Sequence, residues 1–138
     1  MMKLIVLLSL ISIFHLQAFE IAIVTNSQSI SKIDKNEVKR LFLAKTNRVN
    51  NIQVDLVELK NTSYKEEFYK ILTNKNTAQL RSYWTRLIFT GKGKPPKQVE
   101  SQEELAHYMD NSEVIITYLP LKSVQSNMNV LYIFDLLK

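Results

Sequence analysis

Hydrophobic positions along this chain fall into short blocks whose period switches between two and about three and a half, the pattern of an α/β domain. Ahead of those blocks stands Met1 to Ala18, where Lys3 precedes an apolar run of about 11 residues that begins at Leu4, and where Ala18 closes the segment. A basic start, an apolar core and a small residue together predict a secretory signal peptide over 1–18, cut before Phe19, with a retained N-terminal anchor as the open alternative. The core is short for a membrane span, which needs about 20 apolar residues.

Phe19 to Thr25 reads as a buried first strand that runs into the polar loop Asn26-Ser27-Gln28-Ser29. Asp34 with Glu37 forms a capping box, Ile33 and Val38 sit where a hydrophobic staple belongs, and the first helix is predicted to start near Lys35 with Val38, Leu41 and Phe42 inward. Asn50-Asn51 is a turn signal before a second strand over 52–58. Thr62 or Ser63 is placed to cap the next helix, whose inward face is Tyr64, Phe68, Ile71 and Leu72. Thr77 is placed to cap a third, on which Leu80, Tyr83, Trp84, Leu87 and Ile88 follow helical spacing and read as core. Gly91 ends that helix, and Pro95-Pro96 hold the chain extended. Ser101 with Glu104 opens a fourth helix through Leu105, Tyr108 and Met109, and two strands follow over 114–119 and 130–134. The expected order is β-α-β-α-α-α-β-β, an α/β sandwich with a mostly buried sheet.

A length of 138 residues allows one domain and excludes a multidomain enzyme. The absence of cysteine removes disulfides, thiolate nucleophiles and iron–sulfur clusters. Beyond residue 18 the only histidine is His107, and the acidic pairs Glu66-Glu67 and Glu103-Glu104 are adjacent, so they point to different helix faces. No metal site, cofactor or catalytic constellation is therefore expected, and an enzyme is not the reading. Taking Lys3 away leaves 17 basic against 13 acidic residues, a net charge of +4. Lys35, Lys39, Arg40, Lys45 and Arg48 fall in one stretch and Lys92, Lys94 and Lys97 in another, while Glu100, Glu103, Glu104, Asp110 and Glu113 follow. Export and the lack of an arginine-rich stripe argue against nucleic acid; solvated faces or a surface for an anion or partner remain. The Gly91-Lys92-Gly93-Lys94 turn follows a helix, whereas phosphate-cradling glycine loops precede one.

Residues Trp84 to Pro96, WTRLIFTGKGKPP, set Phe-Thr-Gly beside a Pro pair after an aromatic helix, and a Ser-capped helix and an apolar strand with Tyr follow. This set resembles the periplasmic phosphate-binding protein family, the substrate-binding component of ABC-type phosphate uptake, and its short single-domain relatives in particular. Ile21 to Asn26 is similar to that family's first strand, Glu37 to Lys45 to its helix running into a Phe-Leu-Gly-Lys-like segment, and Ser63 to Leu72 to a further helix. The resemblance spans nearly all of 20–119. It implies a single periplasmic-binding-protein-like (type II) lobe over 19–138, a mixed sheet flanked by helices. The function implied is that of an exported solute-binding domain that takes phosphate or another small oxyanion, with a membrane transporter or sensor protein as partner. An exported sensor or interaction module that keeps the fold and binds a protein is the alternative. If the family's chemistry holds, the donors expected are Thr25 and Asn26 at the end of the first strand, and Thr62, Ser63 and Lys65 at a helix start, where unpaired N–H groups favour an anion.

Overall fold

The structure is a computed structural model that describes residues 19–111 and 113–136; the signal peptide expected over 1–18 lies outside the described residues. The first strand, β1 (Glu20–Thr25), is buried from Ile21 onward. It leads to α1 (Lys35–Phe42), whose first turn is closed by the Glu37 N–H donating to Asp34 Oδ1 at 2.8 Å, one half of the expected capping box. Next come a small hairpin, β2 (Arg48–Val49) and β3 (Ile52–Gln53), and then β4 (Asp55–Leu59). Two helices follow, α2 (Lys65–Thr73) and α3 (Thr77–Phe89). The chain finishes with β5 (Lys97–Val99), α4 (Gln102–Asn111), β6 (Ile115–Pro120) and β7 (Asn129–Asp135).

Five strands make one mixed sheet in the order β5-β4-β6-β1-β7. β4 runs parallel to β5 and β6, while β1 runs antiparallel to both β6 and β7. Each face of the sheet carries a core. On one face Ile21, Ile23, Ile116 and Tyr118 meet α1 and α2 through Leu41, Phe42 and Phe68; on the other Ala22, Val24, Val57 and Leu119 meet α4 through Leu105 and Met109. Cover on both faces accounts for the near-continuous apolar runs of β1 and β6.

Several local expectations change. The strand expected over 52–58 is divided at Val54, whose N–H donates to the Asn47 carbonyl, so its first half pairs into the hairpin instead of the sheet. Asn50 and Asn51 both take positive φ, 50° and 66°, the mirror-image turn that suits a two-residue hairpin. Thr62 and Ser63 do not cap α2; Tyr64 stands at the N-cap and makes no side-chain cap bond. Asn76, one residue before Thr77, caps α3 in a reciprocal box with Gln79. The core role expected of Trp84, Leu87 and Ile88 is not met: α3 has no buried residue, and Ile88 is 57% exposed. β5 was not expected, because three residues with one buried side chain give no readable period.

Candidate functional site

Strand direction decides which expected residues can meet. Thr25 pairs with Ile116 near the start of β6, and Asp55 at the start of β4 pairs with Ile115, so Thr25 and Asn26 lie at the amino ends of β4 and β6. Thr62, Ser63 and Lys65 follow Leu59 at the carboxyl end of β4, at the opposite edge. The length of β4 alone separates the two groups by about 13 Å. They do not form one site.

At the amino edge, Asn26 is fully engaged. Its Nδ2 donates to the carbonyls of Met109 at 3.1 Å and Glu113 at 3.0 Å, and its Oδ1 accepts from the Ile115 N–H at 2.9 Å. Asn26 thus ties β1 to the turn between α4 and β6. The Thr25 hydroxyl is buried and accepts from the Ser27 N–H at 3.2 Å. The groove at this edge, about 800 Å³, runs between the end of α1, the β2–β3 hairpin and the 92–97 strap, and carries Lys45, Lys92, Lys94 and Lys97 against Asp55. Neither Thr25 nor Asn26 lines it.

At the carboxyl edge a second cleft, about 320 Å³, contains Thr62 and Lys65 together with Lys60, Lys75, Gln98 and the capped start of α3 at Asn76-Thr77. Beneath it lies a group that the sequence analysis missed. Glu58 on β4 is 2% exposed, yet its carboxylate is fully served. Oε1 pairs with Lys65 Nζ at 2.7 Å and accepts from Gln98 Nε2 at 3.3 Å, and Oε2 accepts from the hydroxyls of Tyr69 at 2.9 Å and Tyr118 at 3.0 Å. Burial, and then the neighbouring Glu58 charge, push the Tyr69 hydroxyl well above its ordinary value; the same causes raise Tyr118. Both rings are held by an aromatic cluster in which Phe68 stacks on Tyr118 at 4.0 Å between centroids. Tyr64 beside them is also raised by burial. The one hint in the sequence is that Glu58 falls in phase with Ile52, Val54 and Leu56, on the apolar side of the alternation.

Lys65 is therefore already paired with a carboxylate. Lys60 pairs with Glu100 at 3.1 Å across the exposed rim, and Lys75 stands 5.4 Å from the Tyr83 ring centroid. Ser63 is exposed beside the cleft without lining it. Lys60 and Lys65 are each paired with a carboxylate, so the features of the cleft that favour a small anion are Lys75 and the N-terminus of α3 facing it. Among the described residues no group of three or more His, Cys, Asp or Glu is placed to hold a metal.

No family model matches the chain, and no curated protein matches it at a significant level. Solved structures do. One, described as a phosphate ABC transporter substrate-binding protein with bound phosphate from Clostridium perfringens, superposes with a TM-score of 0.58 at 12% identity over 83% of this chain. Another, an ABC-type phosphate transport receptor from Vibrio cholerae, gives a TM-score of 0.60 at 12% identity over the same share. The fold is that of phosphate ABC transporter substrate-binding proteins. This chain covers 45% and 46% of those two proteins, less than half of each. One neighbour is described as a substrate-binding protein and the other as a transport receptor, and the fold matched in this chain is a mixed sheet with helices on both faces. No helix among the described residues is long and apolar enough to cross a membrane.

Proposed function

We propose that the chain is an exported, single-lobe solute-binding module that takes phosphate or another small oxyanion in the cleft at the carboxyl edge of its sheet, for an ABC-type uptake system. The observation that carries the reading is the convergence of Thr62, Lys65, Lys75 and the N-terminus of α3 outside the carboxyl ends of parallel strands, the usual ligand crevice of an α/β sheet. Lys65 presents its remaining N–H donors to the anion while Glu58 holds its position; Ser63 and the early amides of α2 supply neutral donors from the rim. Thr25 and Asn26 keep their structural hydrogen bonds at the other edge and take no part. The fold shared with two phosphate transport receptors supports this ligand class, and a membrane transporter or sensor protein is the partner such a module would meet.

Thermal unfolding of the exported chain in phosphate tests the proposal. Phosphate at about 100 times its dissociation constant should add about 2.7 kcal/mol of stability, and chloride at matched ionic strength should add none. Lys75→Ala combined with Ser63→Ala should remove the phosphate increment and leave the unliganded protein folded, because both side chains stand clear of the core. No greater shift in millimolar phosphate or sulfate than in chloride would leave the interaction-module reading as the better account.

A further inference from the structure

α3 stands apart from the other described α-helices because none of its residues is buried. Leu80, Tyr83 and Leu87 turn toward the body: Leu80 packs on the first core, the Tyr83 hydroxyl donates to the Leu43 carbonyl at 2.6 Å, and Leu87 abuts Gly93. The last turn points elsewhere, with Ile88 57% and Phe89 92% exposed. Phe89 borders an open depression shared with Arg81, Thr85 and Arg86. Charge in this depression has one sign. Arg81 and Arg86 are both exposed beside Phe89, no acid lines the depression, and along the chain no acidic residue stands between Glu67 and Glu100.

We propose that the outer face of α3, with Ile88 and Phe89 at its tip and Arg81 and Arg86 beside them, docks the protein on an anionic lipid bilayer. Charge complementarity selects this occupant, since Arg81 and Arg86 line the same depression as Phe89 with no acid in its lining and match a surface of anionic headgroups. Shape points the same way. The apolar side chains protrude instead of lining a groove, and a bilayer accepts a convex apolar tip without a matching pocket, while arginine and lysine stems keep their charges at headgroup level. A symmetric pair of copies joined here would set the basic patch against itself. Docking is independent of the oxyanion cleft, so phosphate binding and lipid binding succeed or fail separately.

Trp84, the single tryptophan of the chain, lies half-buried on α3 and reports on this face whatever N-terminus the protein carries. The exported protein, its N-terminus read by mass spectrometry, is mixed with vesicles of phosphatidylcholine and phosphatidylglycerol at three to one, and with phosphatidylcholine alone. The expected result is a blue shift of Trp84 emission and co-sedimentation with the anionic vesicles only, both suppressed at high salt. Phe89→Ser, at a site too exposed to disturb folding, should weaken partitioning about tenfold or more. Arg81→Gln with Arg86→Gln should weaken it about 25-fold, near fivefold per charge. Unchanged thermal midpoints confirm that both variants are folded. Absence of Trp84 shift and sedimentation on anionic vesicles overturns the proposal and leaves a protein partner as the cover for α3; binding that Phe89→Ser does not weaken overturns it as well.

Discussion

At Glu58 a carboxylate sits inside the sheet because donors from three other elements converge on it: Lys65 and Tyr69 from α2, Gln98 from β5 and Tyr118 from β6. A buried charge without such partners would cost several kcal/mol. Lys65→Ala should therefore destabilise the protein by about 1–3 kcal/mol even though Lys65 itself is partly exposed, and adding Glu58→Gln should restore part of the loss by removing the stranded charge. Chemical denaturation of the single and double variants measures both. The tyrosines make a further prediction. A hydroxyl whose pKa in the folded state lies above its ordinary 10.0 contributes stability that is complete below pH 10 and is lost as pH rises beyond it toward the folded value. Tyr69→Phe should cost about 1 kcal/mol at neutral pH, and that difference from the unaltered protein should shrink as pH is raised past 10. A constant difference from pH 7 to pH 11 would show that Tyr69 is not held protonated by its surroundings.

Helix ends show how short-range signals and close packing combine. α3 closes with Gly91 at φ 66°, the Gly91 N–H donating to the Ile88 carbonyl at 3.1 Å and the Lys92 N–H to Leu87 at 3.0 Å, the paired bonds of a Schellman cap. No atom stands within 4 Å of a Cβ built at Gly91, so the cost of replacing it is one of backbone conformation alone. Gly91→Val should lower stability by about 1 kcal/mol or more, whereas Lys92→Ala should leave the thermal midpoint nearly unchanged. α1 closes in the same manner with a less suitable residue: Ala44 has φ 54°, and the Ala44 and Lys45 N–H groups donate to Leu41 and Arg40 at 2.9 Å and 2.8 Å. A Cβ on Gly93 would lie 3.2 Å from the Ala44 Cβ and 3.2 Å from Leu87 Cδ2. Gly93→Ala should thus destabilise the protein, and less so when Ala44 is also changed to Gly, a coupling that a double-mutant cycle reads directly.

Considered whole, the molecule is one lobe with a sheet covered on both faces, matching less than half the length of the transport receptors it superposes on. Export belongs to this scale. Expressed with a working secretory pathway, the protein should begin at Phe19, a result that mass spectrometry of the exported chain decides; an intact Met1 end in the membrane fraction would establish the retained anchor instead. The sequence by itself determined the features that depend on a few neighbouring residues. The cap at Asp34, the Ser101 hydroxyl accepting from the Glu104 N–H, the glycine stop at Gly91 and the buried runs of β1 and β6 all follow from contacts or periods within one element. Tertiary structure alone decided the rest, because those features depend on groups far apart in the chain. β5 exists through its parallel pairing with β4 some 40 positions earlier, Val57 opposite Lys97, and its own three residues hold no period. Helical spacing put Trp84 and Ile88 on an apolar face, but whether an apolar face is covered depends on what packs against it, and nothing among the described residues buries them. Thr25 and Lys65 both sit at ends of secondary elements, and the sequence could not tell that the two ends face apart. Antiparallel pairing of β1 with β6 placed them on opposite edges, since strand direction within a sheet is fixed only when the long-range partners meet.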